Sequence, residues 1–233
     1  MKRILQFIVM ALSCAVAPLG AEPRNSTPEG WEQPDSDEFA WEQLESETSD
    51  GAARQKILAG EIVLLDTSTD EAGGSARVMA LVNAPAKSIW DVIISCEHAF
   101  IFVDGLEACE VLEENGDRAL VHQVVKRGWP IPTQDFTFES LREPHTEIRF
   151  RLVDGNLKAM DGRWRFIDIE EGLLVDYQVR IQPGIPAPKF IVRRNIRNGM
   201  PDLIACIRGL AGGSWSVKQE SADLASCPGD HGR

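Results

Sequence analysis

One order of segments, between Val78 and Ala211, constrains most strongly what this chain can fold into. A strand-like run that stops at Pro85 leads into a short helical pattern, six segments of alternating apolar and polar residues, and one long helical pattern. Alternation interrupted by turn residues is typical of antiparallel strands with one buried face. The long helical pattern, at 187–211, is therefore predicted to cover the apolar face of the sheet.

A curved sheet around a single helix can leave a cavity between the two. The apolar residues on the predicted sheet face and on the last helix form either a solid core or the wall of a pocket. Composition alone favours the solid core.

Two stretches of the chain carry a resemblance to a known family. Val82 to Ile93, with Pro85 between a strand and a helix, is similar to the strand-to-helix transition of the START-like, or polyketide cyclase/coenzyme Q-binding-like (SRPBCC), superfamily. Arg127 to Phe136 is similar to the segment that leads into a central strand of that family. The resemblance covers residues 55–212. It implies an α+β helix-grip fold, in which a curved antiparallel sheet wraps around a long C-terminal helix.

The resemblance also implies a ligand, because members of the family often hold a lipid, isoprenoid or polyketide between sheet and helix. We therefore expect the chain to bind a hydrophobic small molecule (a lipid, isoprenoid or quinone), for sequestration or transfer. The expected contact residues are Phe100, Phe102, Gln123, Phe136, Phe138, Phe150, Trp164, Phe166, Tyr177, Phe190, Met200 and Ile204. Gln123, Tyr177 and Arg165 are the candidates for polar groups that orient the ligand. Alternatively, Tyr177 forms a hydrogen bond at the rim and Arg165 faces solvent.

Catalytic patterns are scarce in this sequence. None of the four histidines has metal-ligand spacing, and no Gly-x-Ser-x-Gly nucleophile motif is present. We therefore predict no catalytic residues, no metal and no cofactor. An alternative is a cyclase/dehydratase-like enzyme, which needs an acid–base group such as His122, Tyr177 or Asp168 inside the cavity. A second alternative is an adaptor whose core is filled and has no cavity.

The N-terminal 21 residues have the pattern of an export signal. Lys2 and Arg3 precede a short apolar run from Ile4 to Leu12, and a small residue follows at Ala21. The run is too short for a permanent membrane helix. We expect an exported protein, periplasmic or secreted. Two alternatives are a buried N-terminal helix and a lipoprotein anchored through Cys14.

The segments that flank the predicted domain are polar. Residues 22–54 are predicted to form an acidic flexible leader with short helical pieces, and residues 213–233 a polar C-terminal tail. Pro201, inside the last helical pattern, is expected to kink or split that helix.

Charge narrows the choice of partners. The formal net charge of −12 repels nucleic acid phosphates and anionic lipid headgroups alike, so neither is expected to bind the surface as a whole, and no nucleic acid partner is expected. Lys189, Arg193 and Arg197 are an exception, because their spacing places them on one stripe of the last helix. The stripe has two interpretations. It makes transient contact with a membrane or an acidic partner near the cavity mouth, or its side chains pair with surface Asp and Glu.

Four cysteines follow the predicted signal, and an oxidising compartment allows three pairings. A Cys96–Cys109 bridge would join the first helices to the next strand. A Cys206–Cys227 bridge would then attach the tail to the last helix. The alternative is that Cys96 and Cys206 are buried thiols.

Overall fold

A single antiparallel sheet organises the protein. The structure, a computed structural model, describes residues 52–69, 73–129, 131–185 and 188–212, together with Cys227. The strands are β1 (Val63–Thr69), β2 (Gly74–Val82), β3 (Leu106–Asn115), β4 (Arg118–Val125), β5 (Gln134–Glu143), β6 (Glu147–Gly155), β7 (Leu157–Ile169) and β8 (Gly172–Pro183). Their order in the sheet is β1-β2-β8-β7-β6-β5-β4-β3. Only β2 and β8 are neighbours without being consecutive in the chain.

Four helices complete the described part of the chain: α1 (Ala52–Leu58), α2 (Ala86–Ile94), α3 (Cys96–Phe102) and α4 (Lys189–Leu210). The curved sheet wraps around α4, which packs against β1 and β2 on the concave face. This arrangement confirms the predicted α+β helix-grip fold. None of the described helices is long and apolar enough to cross a membrane.

Strand β2 is buried on both faces because each face has its own cover. Val78 and Val82 belong to the main core on the concave side. Met79 packs on the opposite, outer side with Ile57 of α1 and Leu174 of β8. The segment just after the predicted leader therefore shields the outer face at β2 and β8, which explains why the apolar residues of β2 do not alternate with polar ones.

Helices α2 and α3 close one end of the sheet. Pro85 directly precedes α2, and the Ser95 hydroxyl caps α3 by accepting a hydrogen bond from the backbone N–H of His98 at 3.2 Å. Trp90 of α2 packs edge-on against Phe166 of β7 and against His145 in the β5–β6 turn. The closed end is therefore the end at which β5 and β6 meet.

Helix α4 runs without a break through Pro201. The predicted split near this residue does not occur. Proline removes one backbone donor, but Ile204 and Ile207 beyond it are both buried in the core. Packing of the second half therefore holds the helix together across the lost hydrogen bond.

Both predicted disulfides are present, so the buried-thiol alternative is wrong. Cys96–Cys109 joins the start of α3 to β3, and Cys206–Cys227 joins α4 to the tail. The predicted signal (1–21), the leader up to residue 51 and the tail apart from Cys227 lie outside the described residues.

Candidate functional site: a cavity between the sheet and α4

A cavity of about 190 Å³ lies between the concave face of the sheet and helices α2, α3 and α4. Its volume exceeds the roughly 150 Å³ of an engineered apolar cavity that takes up benzene. It therefore has room for a ring or a short chain. The filled-core alternative predicted an interior without a cavity, and the described interior contradicts it.

Five aromatic rings form a continuous wall. Phe136, Phe138 and Phe150 follow one another at centroid distances of 6.3 and 6.2 Å, and Phe150 lies 6.4 Å from Tyr177. Tyr177 in turn stacks on Trp164 at 3.8 Å. Because these residues occupy alternate positions of neighbouring strands, they share the concave face.

Eight of the twelve predicted contact residues line this cavity: Phe102, Gln123, Phe136, Phe138, Phe150, Trp164, Tyr177 and Met200. The structure brings them together from α3, from the five neighbouring strands β4 to β8, and from α4. The cavity is thus built largely from the residues that the sequence pattern indicated.

The other four predicted residues lie outside the lining. Phe166 packs under Trp90 of α2, and Phe100 is half-buried against the main core. Phe190 is 72% exposed in the first turn of α4, whereas Ile204 is buried within the core. Amphipathic spacing identified α4 correctly but did not distinguish Met200, which faces the cavity, from these two residues.

Tyr177 supplies the cavity with a hydroxyl that has no hydrogen-bond partner among the described residues. Burial raises the pKa of Tyr177 despite the opposing effect of Arg127. The phenol therefore stays protonated and is able both to donate and to accept a hydrogen bond.

Gln123 lies beside a disulfide that forms part of the wall. Both Cys96 and Cys109 line the cavity, and the Gln123 amide donates to the Cys109 sulfur at 3.6 Å. Sulfur is a weak acceptor. The Gln123 amide therefore retains hydrogen-bonding capacity for a ligand.

A further polar residue of the lining, Arg142, was missed by the sequence analysis. This buried side chain lines the cavity and donates to the Glu114 carboxylate at 2.6 Å and to the Ser140 hydroxyl at 3.4 Å. Ser140 and Arg142 follow Phe136 and Phe138 at two-residue steps along β5. The strand period itself could have identified both residues.

Arg165 does not orient a ligand in this cavity, nor does it face solvent. It lies on the outer face of the sheet, where its guanidinium donates to the Asp176 carboxylate at 2.6 Å. Arg77 binds the same carboxylate at 3.0 Å. Arg165 occupies a position of opposite parity to Trp164, so the two side chains point to opposite faces.

The acid–base candidates are divided between cavity and surface. The His122 ring lies 2.9 Å from the Asp135 carboxylate in an exposed pair, and Asp168 is exposed. Of the three candidates only Tyr177 lines the cavity. Among the described lining residues there is no carboxylate and no imidazole, and the described chain has no cluster of His, Cys, Asp or Glu suited to a metal ion.

Comparison with known proteins places the chain in a family and agrees with its fold. A family model described as polyketide cyclase/dehydrase and lipid transport matches residues 82–208. A STAR-related lipid transfer protein from Xanthomonas axonopodis is 15% identical and has a TM-score of 0.53, with 65% of this chain and 98% of that one covered. An aromatase/cyclase, Zhui, from a Streptomyces species is 21% identical with a TM-score of 0.48, covering 59% and 93%. No curated protein matches the chain.

Proposed function

The chain belongs to the polyketide cyclase/dehydrase and lipid transport family, and on that premise we propose that it binds a hydrophobic small molecule to sequester or transfer it. The observation that carries the proposal is the aromatic-lined cavity between the sheet and α4. Such a lining, apolar with a few polar groups, is the usual composition of a small-molecule site.

Apolar burial supplies most of the affinity. Removing about 200 Å² of ligand surface from water contributes about 5 kcal/mol before the costs of association. Tyr177 and Gln123 orient the bound ligand, because each can form a further hydrogen bond that no strong acceptor or donor of the protein already occupies. The ligand best suited to this cavity is a ring or chain that carries at least one oxygen atom.

The same lining favours binding over cyclase chemistry. A cyclase or dehydratase must remove a proton from its substrate, which requires a base at the site. The phenol of Tyr177 is protonated because burial raises its pKa, and Arg127 and Arg142 are cations. The described lining thus offers hydrogen-bond donors and positive charge but no base.

Cavity filling tests the proposal. Val121 lines the cavity and Val153 is an exposed valine of β6, so Val121→Phe and Val153→Phe make the same chemical change inside and outside the site. With the fluorescent probe 2-naphthol, an apolar ring system that carries one oxygen atom, we expect one binding site in the wild type and at least about tenfold weaker binding in Val121→Phe, equivalent to 1.4 kcal/mol. Val153→Phe should bind as the wild type does.

Equal binding by all three proteins would contradict the proposal. Circular dichroism must show that Val121→Phe is folded. If it is not, Leu203→Phe places the same bulk in the cavity from the side of α4.

A further inference from the structure

We propose that the end of the molecule at which α4 begins is a docking surface for an anionic lipid bilayer. This docking surface consists of three exposed apolar residues (Trp129, Ile185 and Phe190) and four cations (Lys189, Arg193, Arg194 and Arg197). The inference does not depend on which ligand fills the cavity.

The three apolar residues are the most exposed large hydrophobic side chains in the described chain. Trp129 is 96% exposed, Phe190 72% and Ile185 63%. One of them, Ile185, lines a small groove together with Ile131 and Ile191, and the other two lie close to this groove along the chain. Trp129 is two residues from Ile131, and Phe190 directly precedes Ile191. Exposed apolar residues gathered in this way indicate an interaction site rather than scattered surface residues.

The cations occupy the first three turns of α4, which contain no acidic residue before Asp202. In the described chain Arg193, Arg194 and Arg197 are exposed and form no ion pair. Among the described residues, these three arginines therefore do not show the alternative arrangement, in which the side chains pair with surface Asp and Glu. On the sheet, by contrast, Arg149 pairs with Glu143 at 2.8 Å.

Helix stability does not account for these cations. The macrodipole disfavours positive charge in the first turn, where Lys189 lies, and the like charges of Arg193 and Arg197 are four residues apart, which also destabilises a helix. The net charge of −12 does not cancel their effect at close range. Charges are screened over about 8 Å at physiological ionic strength, so a headgroup at α4 responds mainly to the local cations.

The combination of features fits a bilayer better than a soluble polyanion. Tryptophan and phenylalanine beside lysine and arginine are typical of surfaces that insert into the interfacial region of anionic membranes. A soluble polyanion would bind the cations but gain nothing from Trp129 or Phe190. The docking surface also adjoins the cavity, because Gln134 and Leu157 line both the groove and the cavity.

Vesicle flotation of the full chain tests the inference. The vesicles contain phosphatidylcholine, with or without phosphatidylglycerol. One variant, Arg193→Glu/Arg197→Glu, reverses charge, and a second, Trp129→Ser/Phe190→Ser, removes the apolar side chains. The control, Lys87→Glu/Arg180→Glu, makes the same change in net charge on α2 and β8.

We expect the wild type and the control to bind vesicles that contain phosphatidylglycerol and not those of phosphatidylcholine alone. Each docking-surface variant should bind about tenfold more weakly or worse. The inference would be overturned if phosphatidylglycerol did not increase vesicle binding by the wild type. It would also be overturned if the control lost as much binding as the docking-surface variants. Binding that polyglutamate displaces and that Trp129→Ser/Phe190→Ser leaves intact would indicate an acidic polypeptide instead.

Discussion

Trp164 and Tyr177 are direct cross-strand partners on β7 and β8, and their rings stack with centroids 3.8 Å apart and planes inclined by 15°. Both residues are buried and both line the cavity. Cross-strand aromatic pairs add about 0.2–1 kcal/mol to sheet stability. The pair therefore serves two purposes, because it stabilises the sheet and fixes the Tyr177 hydroxyl at the wall of the cavity, where we propose that a ligand binds.

Removing only the Tyr177 hydroxyl should separate these purposes. Because the hydroxyl has no partner among the described residues, Tyr177→Phe should change the free energy of unfolding by less than about 0.5 kcal/mol. Loss of one hydrogen bond should weaken binding of an oxygen-containing ligand by up to about tenfold. Urea denaturation measures the first effect, and calorimetric titration with an apolar ligand that carries one oxygen atom measures the second.

Truncating the ring provides the comparison. Tyr177→Ala removes the stack on Trp164 as well as the hydroxyl, and should cost about 3–5 kcal/mol of stability. Similar stability losses in Tyr177→Phe and Tyr177→Ala would mean that the hydroxyl has a structural partner, contrary to the account given above.

Acid stability should depend on Asp176, which is 1% exposed and paired with Arg77 and Arg165. Burial acts to raise its pKa, but the two guanidiniums outweigh burial and hold the pKa below its ordinary value. This stabilisation is fully present above the unfolded pKa of about 3.9 and is lost as the pH falls through the folded pKa. We expect the free energy of unfolding to decline below about pH 4, and Asp176→Asn to flatten that decline.

Glu147 provides a control, because its pKa is shifted in the opposite direction to that of Asp176. Burial raises the pKa of Glu147 despite Arg149, so the folded protein gains stability as this carboxyl takes up a proton. Glu147→Gln should therefore remove a gain in stability that the wild type acquires as the pH falls towards the unfolded pKa of about 4.3. Urea midpoints measured across the acid range give the slope of the free energy of unfolding against pH for each variant. The same slope in wild type and Asp176→Asn would contradict the claim that Asp176 causes the decline at acid pH. If Asp176→Asn does not fold, Glu139→Gln replaces it, because Arg151 and Arg118 outweigh burial and lower the pKa of Glu139.

The two disulfides should differ in their effect on binding. Each closes a short loop, of 13 or 21 residues in sequence separation, and loops of this size contribute about 3 kcal/mol to stability. Replacing either pair with alanine should lower the free energy of unfolding by about 2–4 kcal/mol. Only Cys96→Ala/Cys109→Ala should also alter ligand affinity, because only that bridge lines the cavity. If Cys206→Ala/Cys227→Ala changed the ligand affinity as much as Cys96→Ala/Cys109→Ala, the position of the Cys96–Cys109 bridge in the cavity wall could not be the cause of the change.

The sequence predicted the elements well because each has a local signal. Pro85 marks the start of α2, and the Asn115-Gly116 turn separates β3 from β4. Alternation placed Phe136 and Phe138 on the buried face. These signals arise from a few neighbouring residues, so they can be recognised without any knowledge of the tertiary contacts.

The remaining features depend on contacts between distant segments. Nothing local to Phe166 reveals that Trp90 covers it, and nothing local to Arg165 reveals that Asp176 and Arg77 enclose its charge on the outer face. Pro201 is a third case, since its local signal predicts a break that core packing of Ile204 prevents. In each case tertiary packing decided between two outcomes that the local sequence allowed.

The most direct test of the central claim is native mass spectrometry of the protein purified from cells that express it naturally, followed by organic extraction. We expect one apolar molecule per chain, released on denaturation, and its loss in Val121→Phe. Extraction would then identify the ligand class. A protein that carries no adduct, and that takes up none from a total lipid extract of the same cells, would contradict the claim that the cavity is a binding site.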